Sequence, residues 1–541
     1  MSSDSSPIFG GGNTHTVATV YHAKNETKQT THATFDSEKT EDADSLGCVA
    51  ADREDMRRLG KKQEFKRVFR TVTLLSFTTI GQVAWQYSLL SNTQALTDGG
   101  RAGIVWSLVW TFAGFILISL SLSEMASIAP TAGGQYHWVS EFAPRTQQRL
   151  ASYICGWMLF LRWQAGQAGG TFIMGTLIQA MLVIRDSSYT PKGWQGFLFV
   201  VPFSILSAAL SIRITTGHLT VFNMSMVVHV LSCFTTVVVV WVLAPHVPAN
   251  AALATFTNNG GWSTTGLSLM IGQVSMVATL GGFDAAIHMA EEVRNANIVV
   301  PKVMFRSLLI NGSLALLATV MFAFSLPNIT AAIADATGYP YLAILRDTTS
   351  KGGIYVLTVL LMILLMASSV TFLVTTARAT FAFARDGGLP FSKWIAKVDP
   401  RTRSPINAII LSTVITNLLS IIYVGSPAAY NAILSVGASG QLASYGLTIT
   451  YMAWRRWSAP ETIPRPKWSL GRYGMVINVV AAAYSWTVFV WSFWPAVVHP
   501  NAQQFNWASV VFVGVLVLAI AYYNLNGKTR YTGPVVLTSK N

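Results

Sequence analysis

The sequence predicts an all-α polytopic membrane protein with twelve transmembrane helices, and three observations predict it. Of 541 residues, 52% are hydrophobic and only 11% charged, whereas a soluble domain carries about 25% charged residues. The apolar residues fall into repeated runs of about 20, the length that crosses a hydrocarbon core roughly 30 Å thick. Lys and Arg gather in the N-terminal tail and in alternate short connections between those runs, which is the signature of membrane topology.

Residues 1–67 are rich in Ser, Thr, Asp, Glu, Lys and Gly and hold no sustained apolar segment. Such a stretch cannot bury enough surface to offset the entropy of ordering, so a disordered tail is expected. It also lacks the short apolar core of a cleavable signal peptide, which leaves the first span as the insertion signal. Twelve spans follow, at 71–96, 103–123, 150–183, 196–212, 219–244, 265–292, 303–326, 353–384, 405–424, 427–453, 474–496 and 505–525. They make one twelve-helix membrane domain over 68–525, with a short cytoplasmic tail at 526–541.

An even number of spans returns both termini to one side. The loops on that side carry sixteen Lys and Arg, among them Arg294, Lys302, Arg306, Arg455 and Arg456. The opposite loops carry five: Arg101, Arg185, Lys192, Arg346 and Lys351. The bias places both termini in the cytoplasm. Asn328 opens an Asn-x-Thr triplet in a loop on the outer side, where glycosylation is expected to occur.

The first span contains Thr78-Thr79-Ile80-Gly81-Gln82 and the sixth contains Thr279-Leu280-Gly281-Gly282-Phe283-Asp284. In a bilayer every backbone amide needs a partner, so a Gly interruption beside polar side chains is costly unless it lines a cavity. Breaks at corresponding places in two halves point to a transporter built from inverted repeats, with its solute held near the midplane. Amides freed at a half-helix start suit a carboxylate, and freed carbonyls suit a cation. The plainer alternative is that these Gly residues only permit close helix packing.

Ionisable groups inside spans cost at least ~2.5 kcal/mol each and usually have a role. Asp284 and His288 stand four residues apart on one helix face, as a pair that moves protons or meets a cation, or as plain hydrogen-bond partners of freed backbone. Arg162 is deep in span three with no partner that sequence identifies. Arg378, near the cytoplasmic end of span eight, reads as snorkelling to the interface. Trp85 and Tyr87 near the first break, Trp157 and Trp163 on span three and Phe283 in the second break offer aromatic faces to an amine.

Other chemistries find little support. The net charge of +14 belongs to the loops and tail, not to a nucleic-acid surface, and Cys48, Cys155 and Cys233 have no metal-ligand spacing. No P-loop, dinucleotide turn or nucleophile–base constellation is present. Neither an enzyme nor a cofactor is expected.

The stretch Pro130-Thr-Ala-Gly133-Gly134-Gln135-Tyr136 after span two and the run from Gly281 to Ala296 followed by Val300-Pro301 resemble the amino acid, polyamine and organocation permease superfamily. Trp163-Gln164-Ala165-Gly166 and Gly175-Thr176-Leu177-Ile178-Gln179 are similar to its fungal amino acid/choline transporter subgroup. The resemblance implies a five-plus-five inverted repeat with two extra helices and a secondary transporter of amino acids, choline or related amines, often coupled to protons. It implies solute contacts from Thr79, Gly81 and Gln82 on span one and from Gly281, Gly282, Phe283 and Asp284 on span six. Two departures are Gln82 and Arg162, whose positive charge disfavours a cation unless Asp284 or Glu124 neutralises it. Plasma membrane is the expected location, with an endomembrane as the alternative. Export of a specialised nitrogenous metabolite and nutrient sensing are the competing functions.

Overall fold

The computed structural model describes residues 50–215, 218–425, 429–501, 504–531 and 533–534. Among them the chain is helical, with one isolated bridge joining Phe69 to Val293. Ten helices among the described residues are long and apolar enough to cross a membrane. The two other expected spans correspond to the pair α2 (Thr71–Gln82) and α3 (Ala84–Leu90) and to the helix Ala429–Ser458. Both fall short for a physical reason: the first is interrupted, and the second carries Ser439, Gln441, Ser444 and Thr448 along its buried face.

Two helical layers follow from composition. Helices such as Thr220–Leu243 expose Val221, Met224, Val227, Leu231 and Val242, a surface suited to lipid tails. Helices such as α6 (Gln148–Arg185), labelled after the longer helices α1 (Ala50–Arg58), α2, α3, α4 (Gly100–Ile128) and α5 (Gln135–Phe142), are largely buried. In α6, Gly156, Gly166 and Gly175 face Phe383, Phe372 and Val200 so closely that a Cβ would collide, which is how small residues let membrane helices approach.

Residues 50–67, assigned by sequence to the disordered tail, are ordered. Helix α1 and the segment after it pack beneath the bundle, burying Asp52, Phe65, Arg67 and Phe69. The remaining tail, residues 1–49, lies outside the described residues, as do 535–541 of the expected C-terminal tail. The side of the bundle covered by α1 is called the near face and the opposite side the far face.

The near face is closed by charge pairs that link elements remote in sequence. Arg67 meets Asp52 at 3.3 Å and donates to the carbonyl of Ala290. Phe69 N–H donates to Glu292 O at 3.0 Å. Arg385 pairs with Glu291 and Arg378 with Glu292, each at 2.8 Å, and Lys61 pairs with Asp386. Arg378 therefore does not snorkel as expected: it is 1% exposed and spends its charge on Glu292.

Candidate functional site

The first break falls at Val83, one residue beyond the expected pair, because Gly81 and Gln82 complete α2. Val83 has φ 36° and ψ 48°, a left-handed conformation costing a β-branched residue roughly 1–2 kcal/mol. Neighbouring helices hold it there. Asn311, on the buried helix Ala296–Phe324, donates through Nδ2 to Thr79 O at 3.1 Å and accepts through Oδ1 from Ala84 N–H at 3.2 Å. One amide side chain thus spans the gap in the backbone ladder. Ser368 Oγ donates to Gly81 O at 3.0 Å, and Gly81 allows that approach, since a Cβ would stand 3.2 Å from Thr371 Oγ1.

The second break follows the helix Val274–Leu280. Gly281 is extended, Gly282 takes φ 106°, and a short helix resumes at Ala285–His288. Gln82 Nε2 donates to Leu280 O at 2.7 Å and ties the two breaks together. Just past this break, Asp284 accepts from Gln135 Nε2 at 2.9 Å and faces Arg162 Nη2 at 3.6 Å. The partner that sequence could not name for Arg162 is therefore Asp284. Glu124, the other proposed neutraliser, is committed to Arg456.

Arg162 stacks against Trp163, with its guanidinium carbon 4.1 Å from the ring centre, and 5.5 Å from that of Phe372. Between the breaks lies a cavity of about 40 Å³, whose walls include Gly81, Gln82, Tyr87, Arg162, Gly281 and Gln441. That is room for a water or two. A larger vestibule of about 240 Å³ opens toward the far face between Thr93, Gln94, Phe172, Thr176, Ser275 and Tyr339. Ala278 borders both spaces, so the inner cavity and the vestibule are separated by a thin wall. The near face offers no such approach among the described residues, because the ion pairs above close it.

Of the residues singled out by sequence, Gly81, Gln82, Tyr87, Arg162 and Gly281 line the inner cavity. Gly282 and Asp284 belong to the same break but stand behind its wall. Thr79 contributes its carbonyl to Asn311. Trp85 points away: its Nε1–H donates to His229 O at 3.2 Å, and its ring packs 6.1 Å from the His229 ring. Phe283 sits between Phe115 and Tyr445, and Trp157 between Tyr153, Phe160 and Phe383, both off the cavity. The structure does not bring these aromatic faces to one point.

His288 has both ring nitrogens engaged. Trp163 Nε1–H donates to Nε2 at 3.1 Å, which leaves Nδ1 to carry the proton and donate to Ala132 O at 2.8 Å. Both nitrogens are thus committed to Trp163 and to the Ala132 carbonyl, so the ring fixes its neighbours rather than opening to the cavity. Asn328 is exposed and its side chain caps a short far-face helix by accepting from Ala331 N–H at 3.0 Å.

Sequence reasoning missed Asn311, Gln135 and Gln441 as parts of this site. Asn311 and Gln441 are polar side chains inside apolar runs, and that mismatch was the available signal. Gln135 lay within the Pro-x-x-Gly-Gly stretch already noted.

The amino acid permease family profile matches residues 69–517. Several fungal proteins are similar over most of their length. An uncharacterized amino-acid permease of Schizosaccharomyces pombe is 27% identical, over 89% of this chain and 85% of its own. The choline transporter of Saccharomyces cerevisiae is 27% identical, over 91% of this chain and 85% of its own. A putative amino acid/polyamine transporter of Macrophomina phaseolina is 27% identical, over 79% of this chain and 96% of its own.

Proposed function

The chain belongs to the amino acid permease family, and from that premise we propose that it is a secondary active permease that takes up a carboxylate-bearing amine, an amino acid or a close relative, coupled to protons. It is a multi-pass transporter and not an enzyme. The observation that carries the substrate reading is Arg162: its guanidinium faces the cavity between the two breaks, whereas the carboxylate of Asp284 stands behind the wall. A carboxylate can share that guanidinium through a charge-assisted hydrogen bond, with freed amides of the breaks as further donors. A bare cation would meet a positive charge first.

Twelve spans, a five-plus-five inverted repeat and cytoplasmic termini complete the reading, which makes the far face external and the plasma membrane the site of action. The vestibule would then be the route by which solute arrives. Asp284 would serve as the counter-charge that Arg162 exchanges for substrate. Proton coupling rests on the family resemblance and on Asp284, since His288 is committed to Trp163 and Ala132. Glycosylation of Asn328 fits the same orientation.

A second reading, choline uptake, is supported by the name of the yeast relative and opposed by Arg162. The test is uptake of labelled amino acids, GABA and choline into permease-deficient yeast expressing this chain, at two external pH values. Saturable amino acid or GABA uptake that rises at acidic pH is expected. Saturable uptake of choline alone would overturn the substrate assignment, and protein at the cell surface with no uptake of any of these would favour metabolite export or sensing.

A further inference from the structure

A second cleft lies on the near face, away from the transport path. It has a volume of about 1050 Å³, and its walls include Arg385, Phe391, Lys393, Trp394, Tyr522 and Arg530. These come from the end of helix Lys351–Arg385, the connection that follows it, and the near-face end of the last span. It therefore opens at the level where the bundle leaves the bilayer.

Two features of the wall suit a ligand. The first is charge. Arg385 is balanced by Glu291 and Asp386 by Lys61, but Lys393 and Arg530 are exposed and make no ion pair among the described residues. The second is apolar surface beside those cations: Phe391 is 82% exposed and Trp394 48%. Phe391 also has φ 56°, so the backbone holds a large aromatic outward in a conformation that bulky residues avoid. Aromatic side chains next to unpaired cations at a membrane boundary match a lipid, whose phosphate and apolar chains meet at that depth.

We propose that this cleft binds an anionic phospholipid, with Lys393 and Arg530 on its headgroup and with Phe391, Trp394 and Tyr522 against its glycerol and upper acyl segments. Charge complementarity selects an anionic headgroup over a zwitterionic one, and two cations at a membrane surface correspond to a preference of roughly tenfold or more. On the orientation proposed above, the lipid comes from the cytoplasmic leaflet, where anionic lipids concentrate.

The test uses the purified full chain reconstituted in phosphatidylcholine vesicles containing brominated phosphatidylserine or, at equal mole fraction, brominated phosphatidylcholine. Bromine quenches nearby tryptophan, and the emission lost between wild type and Trp394→Phe isolates the contribution of Trp394. The expected result is half-maximal quenching of Trp394 at a roughly tenfold lower mole fraction of phosphatidylserine than of phosphatidylcholine. That preference disappears in Lys393→Gln/Arg530→Gln, while the thermal unfolding temperature stays at the wild-type value. Equal quenching by both lipids, or an unchanged preference in the double variant, overturns the proposal. So does a preference that emerges only after deletion of residues 535–541, since the cleft would then belong to the chain's own C-terminus. No arm requires transport, so the lipid site and the permease reading fail separately.

Discussion

Replacing Arg162 by Gln separates two roles that one guanidinium combines. Asp284 is 0% exposed, and removing its cation leaves a buried carboxylate with Gln135 as its remaining donor. Breaking a buried pair from one side costs about 3–5 kcal/mol, so Arg162→Gln alone should lower the unfolding temperature. Arg162→Gln/Asp284→Asn removes both charges and should recover most of that loss. The double variant still lacks the charge offered to substrate, and a hydrogen bond to a charged group contributes about 1.5–3 kcal/mol. That range corresponds to a rise of roughly 10–150-fold in Kd for a carboxylate-bearing substrate. The assay is equilibrium binding of labelled amino acids and choline to the purified protein, which does not depend on the proton step assigned to Asp284. A double variant with wild-type Kd for amino acids would refute the assignment of Arg162, as would an equal loss of affinity for both substrate types.

Three other perturbations address the frame of the site. Asn311→Leu removes both hydrogen bonds that span the first break and orphans the Thr79 carbonyl and Ala84 amide, each at about 1–3 kcal/mol. Thermal unfolding of the detergent-solubilised protein should move down by several degrees, and an unchanged midpoint would show that water replaces the cap. Gly282→Ala tests backbone strain by itself, because φ is 106° and an added Cβ would meet nothing nearer than 3.6 Å. A cost of about 1–3 kcal/mol is expected, read as a lower unfolding temperature. Asp98, buried in the far-face connection before α4, has its carboxyl pushed up to about 7 by burial. A raised carboxyl pKa means that stability is fully present below the unfolded value near 4 and declines as pH rises through about 7. Asp98→Asn should flatten that decline, and an identical pH profile in the variant would remove Asp98 as its source.

The membrane helices were legible because their signal is local: about twenty consecutive apolar residues carry it. The breaks were only half legible. Glycines mark where a helix can open, but the first opening is placed at Val83 by Asn311, 232 residues from Thr79, and no window along the chain contains both. Charge pairing failed for the same reason. Arg378 looked like an interfacial arginine because its own neighbours are apolar, and Glu292, which holds it, lies 86 residues away on a different element. Aromatic residues misled in the opposite direction: Trp85 and Phe283 sit at the breaks, yet helical rotation turns Trp85 toward His229 and the non-helical turn at 281–284 carries Phe283 toward Phe115. The helical period predicts which residues share a face. It does not say what that face meets.

The two breaks are held differently, and the difference bears on how solute could drive the cycle. The first is fixed by side chains from two neighbouring helices, Asn311 and Ser368. The second relies on glycine backbone, and its bonds run to the first break and to two further helices: Leu280 to Gln82, and Asp284 to Arg162 on α6 and Gln135 on α5. A ligand shifts a conformational equilibrium only by binding one state better than the other. On the proposed reading, a substrate carboxylate on Arg162 competes with Asp284 for the same guanidinium. Its arrival weakens the tie between the second break and α6 while replacing the charge that Arg162 loses. A cation has no such exchange to offer, so binding and gating would be coupled for a carboxylate-bearing solute and uncoupled for choline.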